Sequence, residues 1–389
     1  MSDILRVGVI GANWSLVGHL PAWRNIPGVE VAAICTAHEE SARAAAAAHG
    51  IERAFWDYRE MVTDPGLDII DVGTRPSLRH DMVMQALAAG KHVLNANPFA
   101  TDTAAARAML EAQLAANAVG AVEAQFIWLP QVAQMKAMIA DGFLGDLYGV
   151  ECRCQFPLIR DGAAIFPFVT RPGYTNNYSW LGDPAVGASA LRNLGGHCLH
   201  LLVDLFGTVE TVSATLATHV HEWRFDDGSS YTPGTADMVM AVLGFASGGM
   251  AQLSCSWSVA DARGFSLEAY GSNGRLRLES SSGFPDADNS QLFAAPAAAR
   301  GMTGSLERPV TIDPSHWQAR GRPIETPPGA RVVVPLTRLF DDMVRAIREG
   351  GGPASPSFAR ACHVQAICEA AEEADRTGMR SSVTALPDS

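Results

Sequence analysis

No stretch of this sequence approaches the roughly 18 consecutive apolar residues of a membrane-spanning helix, and no internal repeat is visible in it. It also lacks a basic block. The formal net charge is −12, which argues against nucleic acid as a partner, because phosphate binding needs clustered Lys and Arg. The seven cysteines, Cys35, Cys152, Cys154, Cys198, Cys255, Cys362 and Cys368, are scattered and form no Cys-x-x-Cys pair. That pattern fits reduced thiols better than a disulfide framework or a zinc site. The first apolar run starts at Leu5, leaving no room for a secretory leader, so the expectation is a cytoplasmic protein with no membrane partner.

What is present is ample material for folded cores. Of 389 residues, 48% are hydrophobic and 18% charged, and the length suggests two or three domains. Through residue 124, short apolar runs alternate with helical segments: strands at Leu5 to Ile10, Val29 to Cys35, Ala54 and Phe55, Leu67 to Val72, His92 to Asn95 and Gly120 to Ala124. The helices between them are read at Gly18 to Ile26, Glu39 to His49, Tyr58 to Thr63, Arg79 to Ala89 and Thr103 to Ala116. This alternation predicts an α/β Rossmann domain with a doubly wound parallel sheet over residues 1–124.

Beyond it the pattern changes. A helix at Gln131 to Asp141 precedes strand-like runs at Leu147 to Phe156, Thr208 to Val220, Asp237 to Gly244, Gly249 to Val259, Ser266 to Gly271 and Gly274 to Leu278. Turns such as Ala246-Ser247-Gly248-Gly249 and Gly271-Ser272-Asn273-Gly274 join several of them. Residues 125–389 are therefore expected to form an α+β domain with a large, mainly antiparallel sheet, serving substrate binding and oligomerisation. One helix, about Gly187 to Phe206, interrupts the strands; Ser280 to Pro328 reads as a long loop, and two helices, about Leu336 to Glu349 and Phe358 to Arg376, finish the chain. Met238, Met240 and Val242 alternate with apolar neighbours, which predicts a homodimer or homotetramer packed sheet against sheet.

The first strand–helix turn is a degenerate dinucleotide fingerprint. Gly11 is present, but Asn13 and Leu16 stand where the second and third glycines belong. Asn tolerates left-handed backbone angles, so the turn remains possible. Trp14 lies in the same turn. At the end of the second strand, Cys35-Thr36-Ala37-His38 offers no acid for a ribose hydroxyl. Thr36 and His38 would instead donate to a 2′-phosphate, which favours NADP and leaves NAD open.

An ordered set of motifs then carries a resemblance. It runs from His19-Leu20-Pro21-Ala22 through Val72-Gly73-Thr74-Arg75-Pro76 and Ala88-Ala89-Gly90-Lys91-His92-Val93-Leu94. It continues in Asp141-Gly142-Phe143-Leu144-Gly145-Asp146, Gly187 to His197, and Pro356-Ser357-Phe358. Together these resemble the Gfo/Idh/MocA oxidoreductase family. The resemblance implies NAD(P)-linked oxidation of a hydroxyl on a sugar, cyclitol or related ring compound. It implies cofactor contacts at Gly11, Asn13, Trp14, Leu16, Thr36, His38, Thr74, Arg75, Pro76, Arg79, Asn95 and Asn97.

The departures from the family bear on chemistry. Where its Glu-Lys-Pro lies, this chain has Ala96-Asn97-Pro98, so Asn97 replaces the catalytic Lys and brings no charge. Asn193 replaces the Asp that precedes the family histidine, which is retained as His197. The catalytic set implied is His197, Asn97 and Asn193. His197 sits among Leu199, Leu201 and Leu202, so a packed core histidine is the competing reading. His197 and His200 lie three apart, but no third ligand is evident, and no metal is expected. Gln125, Trp128, Arg171, Tyr174 and Tyr178, with His197, are candidate substrate contacts; Arg171 and Arg160 would suit a carboxylate. The aromatic segment around Arg171 reads equally as a loop packing its own rings. Trp14 and the missing Lys also resemble the branch of the fungal galactose-regulon repressor, a sensor. Three functions therefore stand at this point: a dehydrogenase, a lyase, hydratase or epimerase using a tightly held dinucleotide, and a non-catalytic sensor.

Overall fold

A computed structural model describes residues 4–160, 163–164, 175–225, 228–297, 306–326, 332–350 and 353–384. The chain divides into two compact units. The first comprises Met1–Gln125, Ala185–Gly187 and Gln318–Cys362; the second comprises Phe126–Pro184, Ala188–Trp317 and His363–Ser389.

The first unit carries the predicted parallel sheet. Its strands are β1 (Leu5–Ile10), β2 (Val29–Cys35), β3 (Arg53–Phe55), β4 (Ile69–Val72), β5 (His92–Ala96) and β6 (Gly120–Glu123), in the order β3-β2-β1-β4-β5-β6. Helices α1 (Leu20–Arg24), α2 (Glu39–His49), α3 (Tyr58–Val62), α4 (Pro76–Ala88) and α5 (Thr103–Ala115) connect them. The central strands are buried on both faces, as parallel strands between helices must be, and every residue of β4 and β6 is buried. Caps fix the helix starts. Asp57 accepts from the Arg59 amide and Asp102 from the Ala105 amide, while Pro76 opens α4.

The helix expected from Gly18 starts earlier and in another form. A π-helical turn at Ser15–His19 leads directly into α1. The wider turn buries both Ser15 and His19, and such turns are frequent at functional sites.

After α6 (Pro130–Ala140), the second unit is built on a mixed, mostly antiparallel sheet. Its strands are β7 (Leu147–Gln155), β8 (Val209–Ala217), β9 (Met238–Phe245), β10 (Met250–Ser256), β11 (Gly264–Gly271), β12 (Gly274–Ser280), β13 (Ser290–Pro296), β14 (Arg308–Pro309) and β15 (Ser381–Ser382). Among the described residues the order is β14-β13-β12-β11-β7-β10-β9-β8-β15, with β7 and β10 parallel and β7 and β11 antiparallel. Alternation along β9 and β10 turns Val239, Ala241, Leu243, Ala251, Leu253 and Cys255 into the core. All seven cysteines are buried free thiols.

Three sequence expectations are corrected here. The segment 280–328 is not one long loop, because Ser290–Pro296 pairs along the whole of β12. The turn before it is tied by its own side chains, with Asp286 Oδ1 accepting from the Asp288 and Asn289 amides. The strand expected to reach Val220 stops at Ala217, where the Asp237 carboxylate captures the amides of His219 and Val220. The helix expected from Gly187 begins as a π-helical turn at Leu191–Gly195 and becomes α7 at Gly196–Phe206. The last helices are α8 (Val333–Glu349) and α9 (Phe358–Thr377).

Candidate functional site

The order of the first sheet places a switch point between β1 and β4, whose connections leave to opposite sides, and the carboxyl ends of these strands are the usual place for a dinucleotide. Here the backbone is bare. Gly11 has φ +115°, and a Cβ on it would lie 2.9 Å from the Gly73 carbonyl oxygen. A Cβ on Gly73 would lie 1.9 Å from Ser15 Oγ, itself buried with no hydrogen-bond partner among the described residues. A glycine-lined turn with an orphaned hydroxyl fits the close approach of a pyrophosphate.

The other residues expected at this site take several positions. Asn13 is exposed and does not adopt the left-handed backbone its residue type allows. Leu16 packs with Leu20, Ile34, Ala46 and Ile51 instead of leaving space for the turn. Thr74 bonds Met82 Sδ at 3.5 Å, Arg75 is the exposed N-cap of α4, and Pro76 is buried. Asn95 donates to the Phe99 carbonyl at 2.9 Å and leaves its own side-chain oxygen unpartnered among the described residues. Asn97, half-buried, begins the loop after β5. At the end of β2 the Thr36 hydroxyl donates to the His38 carbonyl at 3.0 Å and meets Ser41 Oγ at 2.6 Å. His38 is exposed, and Glu39 and Glu40 form the first turn of α2.

Beneath this surface lies a charged cluster that the sequence reading did not assemble. His19 Nδ1 donates to both Asp71 oxygens at 3.0 Å, and Trp23 Nε1 donates to Asp71 Oδ2 at 2.8 Å. His19 Nε2 lies 4.0 Å from Glu123 Oε2. Burial lowers the His19 pKa, but the Asp71 charge and hydrogen bond outweigh it and hold the imidazole above its ordinary value. Burial pushes the Glu123 carboxyl up to about 7, against the opposing charges of His19 and Arg79. Trp14 adds a side-chain hydrogen bond to Glu123. Arg79, read from the sequence as a cofactor contact, turns inward; burial brings its guanidinium down to about 9. The available signal was a carboxylate inside each of two otherwise apolar parallel strands, Asp71 in β4 and Glu123 in β6.

In the second unit, His197 is buried on α7. Its ring stacks on Phe126 with centroids 4.9 Å apart and meets Phe284 edge-on at 5.5 Å. Its Nδ1 has no hydrogen-bond partner among the described residues. Burial pushes its pKa down to about 3, so the ring is neutral throughout the physiological range. Asn193 does not substitute for a carboxylate, since its side-chain oxygen accepts from the Ser189 amide at 3.2 Å. Trp128 is half-buried in the second unit. Gln125, in the first unit, is fully buried, with both amide atoms unpartnered among the described residues. Arg171 and Tyr174 lie outside the described residues, as do the side chains of Arg160 and Tyr178. Among the described residues, no group of three His, Cys, Asp or Glu side chains has the arrangement of a metal site, and no helix is long and apolar enough to cross a membrane.

Comparison with known proteins agrees with this architecture. Residues 5–123 match the model described as an oxidoreductase family, NAD-binding Rossmann fold, and residues 132–277 match that of the GFO/IDH/MocA C-terminal domain. The chain is 26% identical over 397 residues to levoglucosan dehydrogenase of Pseudarthrobacter phenanthrenivorans, covering 95% of each. It is 29% identical over 276 residues to D-apiose dehydrogenase of Paraburkholderia graminis, covering 69% of this chain and 66% of that one. A solved levoglucosan dehydrogenase, in complex with NADH and L-sorbose, superposes with a TM-score of 0.84 at 23% identity, covering 99% of this chain and 100% of that one. At that identity the superposition speaks for the fold.

Proposed function

Because the chain belongs to the Gfo/Idh/MocA oxidoreductase family, with an NAD-binding Rossmann domain at its start, we propose that it dehydrogenates a ring hydroxyl of a sugar, anhydrosugar or cyclitol. The observation carrying this reading is His197, a buried neutral imidazole with an orphaned nitrogen between two phenyl rings. An unsatisfied polar atom of this kind is costly unless a ligand satisfies it. Relatives with related chemistry support the choice, since one is named for levoglucosan and another for D-apiose.

The chain's part in the reaction follows from these residues. Gly11, Gly73 and Ser15 would hold the pyrophosphate, and bound NAD supplies the hydride acceptor. The neutral His197 accepts a hydrogen bond from the substrate hydroxyl and orients it, and the hydroxyl proton is released to water as the hydride leaves. Asn193 brings His197 no carboxylate, since its side-chain oxygen serves the Ser189 amide. Asn97, standing where the family carries a lysine, brings no positive charge, so positioning carries a larger share of the rate than in a lysine-bearing relative. The exposed carboxylates of Glu39 and Glu40 repel a 2′-phosphate, and the Thr36 hydroxyl expected to bind one is already engaged. NAD is therefore the preferred coenzyme over NADP.

The test is absorbance at 340 nm with a panel containing levoglucosan, D-apiose, hexoses and inositols, each with NAD and with NADP. The expected result is NADH formation with at least one polyol, at a kcat/KM at least about tenfold better with NAD, since like-charge juxtaposition costs on the order of 1.4 kcal/mol or more. Tight NADH binding with no turnover across the panel would favour the sensor.

We also propose that the second-unit sheet faces a second copy of this chain. Its outward face presents Met240, Val242 and Met250, each at least half exposed, on the adjacent strands β9 and β10. Glu268 and Arg275, paired on β11 and β12, supply both signs of charge to the same sheet, which suits an isologous contact. Light scattering is expected to give a dimer or tetramer for the native chain and monomer for the double variant Met240→Lys, Val242→Glu. A monomeric native chain removes the proposal.

A further inference from the structure

Three segments meet at the carboxyl edge of the first sheet: the turn after β1, the loop after β4 and the loop after β5. The helical residue Arg79, from α4, reaches two of them from below. Its Nε donates to the Thr74 carbonyl at 2.6 Å, and its Nη1 donates to the Ala96 carbonyl at 2.7 Å and to the Pro98 carbonyl. The two carbonyls bonded by Nη1 flank Asn97 on either side. The third segment is held by Trp14, hydrogen-bonded to Glu123, the carboxylate whose charge acts on Arg79. The charged groups that act on Glu123 among the described residues belong to the same buried cluster: His19 from the π-helical turn, Asp71 from β4 and Arg79 from α4.

We propose that Arg79 is a positioning residue for the coenzyme, a buried guanidinium that fixes the loops after β4 and β5 in their NAD-binding form before NAD arrives. The geometry is specific to arginine. A planar fork with several donors bonds three carbonyls at once, whereas an ammonium on a flexible stem has one centre and no fixed plane. Buried backbone carbonyls also explain why a cation is tolerated this deep, because they satisfy its donors while Glu123 balances its charge. Arg79 is thus set apart from the direct contacts at the site: it touches backbone, and Asn97 stands where it does because its flanking carbonyls are pinned. The inference rests on the coenzyme half of the function proposed above and is independent of the substrate.

The test uses the full chain and NADH titration, with no substrate present. Arg79→Lys keeps the buried charge opposite Glu123, and Arg79→Gln keeps a single donor group without the charge. The expected result for either variant, titrated well below its unfolding transition, is a Kd for NADH raised at least about tenfold, which is about 1.4 kcal/mol. A folded variant that binds NADH within twofold of wild type overturns the proposal. Hydrogen exchange of the wild-type chain is a second measurement that does not depend on a variant folding. In the absence of NADH, peptides covering 73–76 and 96–99 are expected to exchange far more slowly than an open loop, since the clamp is built in advance. Exchange there at open-loop rates without NADH overturns it. Wild-type protein that fails to bind NADH would count against the coenzyme reading itself, which keeps the two failures distinct.

Discussion

Replacing His197 with phenylalanine is expected to lower kcat by about 10², the scale of a lost positioning contact to the reacting group, while leaving the chain as stable as before or more so. The two effects have one cause. The native ring is buried against Phe126 and Phe284 with Nδ1 unpartnered among the described residues. A phenyl ring keeps the aromatic contacts and removes the unsatisfied nitrogen, whose burial costs roughly 1 to 3 kcal/mol. Unfolding followed by circular dichroism is expected to show an unchanged or higher Tm, with NADH affinity unaffected. The pH dependence adds a sign. His197 has a folded pKa of about 3, below its ordinary value of 6.5, so between those values the unfolded chain binds the proton and the folded chain does not. Stability is then lost as pH falls below 6.5, by about 1.4 kcal/mol per unit from this group. The variant lacks that contribution, so its advantage over wild type should widen between pH 7 and pH 5. A variant that keeps full turnover, or one destabilised by several kcal/mol with no such widening, makes His197 a packing residue, the competing reading of a histidine among leucines.

Much of the fold was readable because it rests on periodicity. The six parallel strands are short apolar runs between amphipathic segments, and each was placed within a few residues of its position. The second sheet was readable from turns at 246–249 and 271–274. The losses came where side chains overrule local composition. Ser290–Pro296 is a strand because it pairs with all of β12, a long-range fact hidden within a Ser-, Pro- and Ala-rich stretch. The first helix was misplaced because a π-helical turn shifts its start to Ser15. At the site, His197 and the glycine turn came from matching motifs. The His19–Asp71–Glu123–Arg79 cluster did not, since its members are distant in sequence and come from the π-helical turn, β4, β6 and α4. Arg79 shows the limit most clearly: the family resemblance makes it a cofactor contact, and only the fold reveals that its donors face three carbonyls.

Asp71 is where that cluster is most exposed to a single change. Its carboxylate is fully buried in β4 and accepts from His19 and Trp23. In Asp71→Ala both donors lose their acceptor, and a histidine held above its ordinary pKa by Asp71 is left beside Glu123 alone. Breaking a buried ion pair by removing one partner costs about 3 to 5 kcal/mol, and at about 2 to 4 °C per kcal/mol for a unit of this size the Tm should fall by roughly 6 to 20 °C. Asp71→Asn separates charge from packing. It retains an oxygen for the Trp23 indole but offers His19 no charge. His19 has a raised pKa in the folded chain, so the stabilisation it draws from Asp71 is fully present below pH 6.5 and is lost as pH rises through the folded value. The deficit of Asp71→Asn relative to wild type is therefore expected to be largest near pH 6 and to shrink towards pH 9. A deficit independent of pH would mean that His19 is neutral in the folded chain and that Asp71 acts only as a hydrogen-bond acceptor.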